Sequence, residues 1–177
     1  MSEQFVRVGE IELCYEQFGD PDAEPLLLIM GLGTPMNAWP VAFCEALASR
    51  GFLVTRFDNR DIGRSTKLDW LGVPSKLDMM VGRRATAPYL LRDMGRDTTA
   101  LMDHLGMESA HLVGASMGGM IAQTVSIEQP ERVRSMVSML STTGNRLVST
   151  PHYKTYAILL AKPPHGRDAV IQQAVRT

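Results

Sequence analysis

The stretch HLVGASMGGMIAQ, residues 111–123, decides the fold. Ala110–Val113 reads as a short buried strand and Met117–Glu128 as a helix closed by Pro130. Only Gly114, Ala115 and Ser116 lie between them. A turn this tight forces Ser116 into a strained backbone conformation. The neighbours two positions away on either side then press together, so Gly114 and Gly118 must lack side chains. Gly119 adds a third small residue, which lets the helix sit close to the sheet. G-x-S-x-G at a strand-to-helix junction is the spacing of a nucleophile elbow. It holds the Ser116 hydroxyl above the C-terminal edge of a sheet, over a helix N-terminus that favours developing negative charge. Taken alone, the pentapeptide is equally a Gly/Ser turn with no chemistry.

Outward from the elbow the chain alternates strands and helices. Phe5–Val8 and Ile11–Gln17 read as a hairpin turned at Gly9-Glu10. Leu26–Met30 is a continuous apolar run, the pattern of a strand buried on both faces. A helix is expected from about Ala38 to Gly51, with Pro40 in its first turn and Trp39, Phe43 and Leu47 on one face. Phe52–Phe57 is a second buried strand, followed by a charged loop, Asp58–Ser65. Residues 66–88 are irregular. Leu90, Leu91, Met94, Thr98, Leu101, Met102 and Leu105 recur at helical spacing up to Gly106. Val133–Leu140 is the last strand, and after Gly144 prolines interrupt short helical pieces. Strands alternating with helices predict an α/β fold with a mostly parallel sheet flanked by helices.

A second loop carries chemistry. An oxyanion hole needs two backbone N–H groups aimed at one point. Met117, directly after Ser116, supplies one candidate; the glycine loop Met30-Gly31-Leu32-Gly33 supplies the other, with Leu32 the expected donor. A plain strand-to-helix turn also favours these glycines.

With these motifs in order, the sequence resembles the α/β-hydrolase fold family, and within it the carboxylesterase group that includes aclacinomycin methylesterase. The matching stretches are Leu26–Trp39, Arg56–Ser65 (RFDNRDIGRS), Tyr89–Leu105, and His111–Gln123 running on to Gly144. The resemblance implies a serine nucleophile at Ser116 and no cofactor or metal. Met30-Gly31 stands where many relatives carry His-Gly, and Asp58-Asn59-Arg60-Asp61 stands where Asp-x-Arg-Gly is common. These loop charges read as a structural ion-pair network.

The family's triad runs Ser, acid, His over an eight-stranded sheet. Here about six strands are present, and Ser141-Thr142-Thr143-Gly144 after the sixth contains no carboxylate. His104 lies on the helix before the elbow strand, and His111 is five residues from Ser116 along one strand. Five residues of strand span roughly 16 Å, beyond hydrogen-bond reach. His152 and His165 fall in the lid-like segment with no acid partner. The expectation is therefore an N-terminal part of the hydrolase core over 1–145, truncated at the beginning of a lid over 146–177, with acid and histidine beyond Thr177.

Twelve methionines outnumber the five Phe, four Tyr and two Trp together. Met30, Met36, Met117 and Met120 flank the two loops, where flexible thioethers suit an adaptable apolar pocket; core filling is the alternative. Lys plus Arg is 18 against 19 Asp plus Glu, a formal charge of −1, which argues against nucleic-acid or anionic-membrane partners. No apolar run approaches the ~20 residues of a membrane span. Cys14 and Cys44 form no disulfide framework or metal pattern and read as buried core thiols. The N-terminus has no signal-peptide pattern, so a cytoplasmic setting is expected. Two functions remain open: a serine carboxylic-ester hydrolase acting through an acyl-enzyme on a small-molecule ester, or a non-catalytic binding or scaffold protein, or inactive remnant, of the same fold. An open sheet edge at Val133–Leu140 predicts self-association or a complementary C-terminal half as partner.

Overall fold

The computed structural model describes residues 2–72 and 87–145. Six strands form one sheet: β1 (Gln4–Val8), β2 (Ile11–Phe18), β3 (Glu24–Ile29), β4 (Phe52–Phe57), β5 (Ala110–Ala115) and β6 (Val133–Met139). Three helices accompany them: α1 (Val41–Ala48), α2 (Leu91–His104) and α3 (Met117–Glu128). The strand order is β1-β2-β4-β3-β5-β6. β1 and β2 are antiparallel to their neighbours; β4, β3, β5 and β6 run parallel. The chain divides into two units, Met1–Thr143 and Gly144–Thr177, and all these elements belong to the first.

The alternation of a strand explains how β3 serves both faces of the sheet. Leu27 and Ile29 point into one core with Leu13, Phe57, Leu101, Met102, Leu112, Ile121 and Val125, beneath α2 and α3. Leu26 and Leu28 point to the other face, with Phe18, Trp39, Cys44 and Val54 beneath α1. Each of Leu27, Leu28 and Ile29 is fully buried, so truncation of any of them to alanine costs about 2–5 kcal/mol.

The expected first helix starts later than its pattern suggested. Met36–Ala38 is a single 3-10 turn, Trp39 is extended, and α1 begins at Val41 with Pro40 capping it. The proline ring disfavours helical geometry in the residue before it, so Trp39 cannot open the helix. The expected short helical pieces after Gly144 and the lid segment 146–177 lie outside the described residues.

Parallel strands bring their C-terminal ends to one edge of the sheet. Ile29 pairs with both Phe57 and Gly114, and Ala115 pairs with Met139. The loops starting at Met30, Asp58, Ser116 and Leu140 therefore emerge side by side.

Candidate active site

Ser116 sits between β5 and α3 with φ 54° and ψ −120°, a left-handed conformation that L side chains rarely adopt. It is exposed. Its N–H donates to the Met139 carbonyl at 2.8 Å, and its own carbonyl accepts the N–H groups of Gly119 and Met120. The turn is thereby tied to the end of β6 on one side and to α3 on the other. A Cβ on Gly114 would overlap the Gly118 carbonyl, and one on Gly118 would overlap the Ile29 carbonyl. Gly119 lies against the end of β6, where a Cβ would come 2.6 Å from Ser138 Oγ and, just past the strand, 2.7 Å from Ser141 Oγ, so its small size lets α3 sit close to the sheet.

The loop after β3 lies directly against this turn. A Cβ on buried Gly31 would come within 3.0 Å of Ser116 Cβ and 3.4 Å of its Oγ. Register alone leads here, since Ile29 opposes Gly114 and two further residues bring Gly31 level with Ser116. The Gly31 carbonyl accepts the Thr34 N–H at 3.3 Å, closing a tight turn in which Gly33 has φ 67°. In a trans peptide N–H and C=O point oppositely, so the Leu32 N–H points away from the turn interior. It has no acceptor among the described residues. The Met117 N–H opens α3 and so has no intrahelical acceptor.

The methionines divide. Met36 is buried, whereas Met30, Met117 and Met120 are half-buried. Met30 packs at the margin of the core beneath α1, Met117 at the margin of the other. Two surface concavities, one around Met107 and Arg132 and one of about 450 Å³ around Ile11, Trp70 and Asp97, touch none of these four.

The charged loop after β4 is structural, but only part of it is an ion-pair network. Asp58 is buried, and its carboxylate accepts the backbone N–H groups of Met36 at 2.7 Å and Arg64 at 2.8 Å. Gly63 is required beside it, because a Cβ would overlap that carboxylate. Arg60 makes one ion pair, with both Nε and Nη2 donating to Asp97 on α2, and Arg64 makes another with Glu3. Burial pushes the Asp97 carboxyl above its ordinary range, outweighing the nearby guanidinium. Burial likewise raises Tyr89 to about 12, helped by its hydrogen bond to Asp61. Asn59 escaped the sequence reading. It is buried, and its Nδ2 donates to the Met30 carbonyl at 3.0 Å.

Neither histidine among the described residues bonds to the serine. His104 is exposed and lies edge-on to Tyr15. His111 Nδ1 is 2.7 Å from Ser135 Oγ. His152 and His165 lie outside the described residues. Ser116 Oγ makes no hydrogen bond among the described residues, and no group of three or more His, Cys, Asp or Glu there could hold a metal. Cys14 and Cys44 are free and buried, and burial pushes the Cys14 thiol up to about 11. No helix among the described residues is long and apolar enough to cross a membrane.

Comparison with known proteins places the fold. The alpha/beta hydrolase fold family matches residues 24–176. The chain is 34% identical over 140 residues to the rhodomycin D methylesterases DauP of Streptomyces sp. (strain C5) and DnrP of Streptomyces peucetius, covering 79% of this chain and 42% of each relative. It therefore spans less than half the length of these relatives. The crystal structure of a hydrolase from Pseudomonas aeruginosa PA01 superimposes with a TM-score of 0.67 at 26% identity, covering 91% of this chain and 54% of that one.

Proposed function

The chain belongs to the alpha/beta hydrolase fold family, and on that premise we propose that it carries the nucleophile and oxyanion hole of a serine carboxylic-ester hydrolase. The observation that carries this reading is the exposed Ser116, held at φ 54° over the first turn of α3 with Gly31 against it. Strain of this kind persists only where surrounding structure over-determines it, and it gathers at functional sites.

In the proposed mechanism Ser116 Oγ attacks the ester carbonyl while a histidine takes its proton. The N–H groups of Leu32 and Met117 hold the oxyanion, as unpaired donors on adjoining loops suit. The alcohol leaves with that proton, and water then releases the acid from the acyl-enzyme. Met30, Met36 and Met120 border the acyl or alcohol pocket in this reading. Methyl esters are the proposed substrate class, since DauP and DnrP are methylesterases. The histidine and acid are proposed to lie outside the described residues. Residues 1–145 then form the N-terminal part of the core and 146–177 the start of a lid. A reducing, cytoplasmic setting suits two buried free thiols.

One observation favours a second reading, a non-catalytic binding or scaffold protein: Ser116 Oγ has no histidine or carboxylate bonded to it among the described residues. A fluorophosphonate label separates the two, because only an activated serine reacts quickly. In the full-length protein, fast labelling and hydrolysis of short p-nitrophenyl esters are expected, both lost in Ser116→Ala with folding intact. Near-normal turnover in that variant refutes the mechanism, and absence of labelling in the unaltered protein supports the scaffold.

A further inference from the structure

Asn59 is a buried amide in a loop whose neighbouring side chains brace the loop itself, through Asp58 to the Arg64 N–H and Ser65 to the Asp58 carbonyl, and tie it to α2 through Arg60. A buried polar side chain needs a partner, and the partner here is specific. The β3 ladder ends at Ile29, so the carbonyl of Met30 has no strand to bond to; Asn59 Nδ2 reaches it at 3.0 Å. Next to Asn59, Asp58 accepts the N–H of Met36 at 2.7 Å. Two consecutive residues after β4 thus grip the loop after β3 near both of its ends. Between the grips lie Gly31, against Ser116, and Leu32.

We infer that Asn59 is a positioning residue for the Leu32 N–H donor, an inference that rests on the esterase reading above. Three constraints fix the donor's peptide plane. The Asn59 amide sets the Met30–Gly31 peptide, the Thr34 N–H sets the Gly31–Leu32 peptide through the Gly31 carbonyl, and Ser116 blocks Gly31 from moving inward. Gly31 has no side chain to resist rotation, so without the amide the first constraint disappears and the Leu32 N–H can swing. A donor acts on an oxyanion only when it is held in place before the charge forms. Loss of Asn59 should therefore weaken transition-state stabilisation while leaving substrate binding untouched.

The test uses the full-length protein with Asn59→Ala and Asn59→Asp. The aspartate keeps the shape but presents acceptors to the Met30 carbonyl. The readouts are kcat and KM on a short p-nitrophenyl ester, the inhibition constant of a trifluoromethyl ketone, and Tm. Removing one oxyanion donor outright lowers kcat by about 100–1,000-fold, so losing only its support is expected to lower kcat about tenfold in Asn59→Ala. KM should stay within about twofold, and the ketone, which mimics the oxyanion, should weaken by the same factor as kcat. Asn59→Asp should lose at least as much; if it does not fold, the alanine variant decides. An unchanged kcat, or a loss in KM and Tm with no loss of ketone affinity, overturns the inference while the esterase reading stands. If the unaltered protein shows no Ser116-dependent hydrolysis, that reading and this inference fall together.

Discussion

Gly31 and Ser116 touch across two loops that are 85 positions apart in the sequence: a methyl group on Gly31 would sit 3.0 Å from Ser116 Cβ and 3.2 Å from the Ala115 carbonyl. Gly31 has no positive φ, so alanine there meets a spatial obstacle only, and a shift of a few tenths of an ångström relieves it. Gly118 is different. A Cβ there overlaps the Ile29 carbonyl, which is backbone of the central strand and cannot yield. Gly31→Ala is expected to leave the fold intact, within about 1–3 kcal/mol of the parent, and to lower ester turnover by displacing the serine. Gly118→Ala should fail to give a cooperatively folded protein. Urea unfolding of both variants beside p-nitrophenyl ester assays checks this; a well-folded Gly118→Ala would contradict the packing described.

The strain at Ser116 has a stability consequence. Its φ of 54° and ψ of −120° suit glycine and no L residue. A non-glycine residue in such a region stores about 1–3 kcal/mol, of which glycine returns part as lost chain entropy. Ser116→Gly is thus expected to raise stability by about 1 kcal/mol, or about 2–4 °C in Tm for a protein of this size, while abolishing hydrolysis. Differential scanning calorimetry of the full-length protein reads it. A lower Tm in Ser116→Gly would mean that the turn is unstrained and the serine hydroxyl holds it.

Much of this was legible in the chain. Leu26–Met30 and Phe52–Phe57 are unbroken apolar runs because their strands are covered on both faces, and such runs announce themselves. The strand-to-helix turn was legible because Gly114 presses on the Gly118 carbonyl within five residues; that Gly118 itself meets the Ile29 carbonyl of β3, 89 positions away, was not. What stayed hidden acts at a distance. Asp58 and Asn59 bond to backbone groups 22 and 29 positions away, and backbone carries no sequence signature. Their charge and polarity suggested ion pairs; among the described residues Arg60 and Arg64 make those, with Asp97 and Glu3. The start of α1 was misplaced because Pro40 and Trp39 each fit a helix pattern singly, and only their adjacency forbids it.

The Arg60–Asp97 pair yields a pH dependence of unusual sign. Burial holds the folded Asp97 carboxyl above its ordinary range even with Arg60 bonded to it, so the folded protein binds that proton more tightly than the unfolded chain does. The resulting contribution is fully present below the unfolded aspartate value of about 3.9 and is lost as pH rises through the higher folded value. The stability of the parent relative to Asp97→Asn should therefore improve as pH falls from neutrality towards the unfolded value. Urea midpoints of both proteins at matched pH values measure it, other titrating groups cancelling in the difference. A relative loss on acidification would show that the Arg60 attraction, and not burial, controls this carboxyl.

The sixth strand supplies the last expectation. β6 pairs with β5 alone among the described strands, and most of its residues are exposed. Met136 and Ser138 point towards α3, where Ser126 and Gln123 meet them. Val137, one residue out of phase, faces the other side of the sheet and is 48% exposed, and Leu140 beyond it is 94% exposed. An exposed strand edge bordered by large apolar side chains is a template for another strand, and natural edges are usually blunted by a charge. The 177-residue chain is therefore expected to self-associate through β6, and Val137→Lys to shift it towards monomer without loss of folding. Size-exclusion chromatography with light scattering, run across a wide range of concentration, checks both. A chain that stays monomeric throughout, or a lysine variant that associates as strongly as the parent, would mean that β6 is not the surface that pairs.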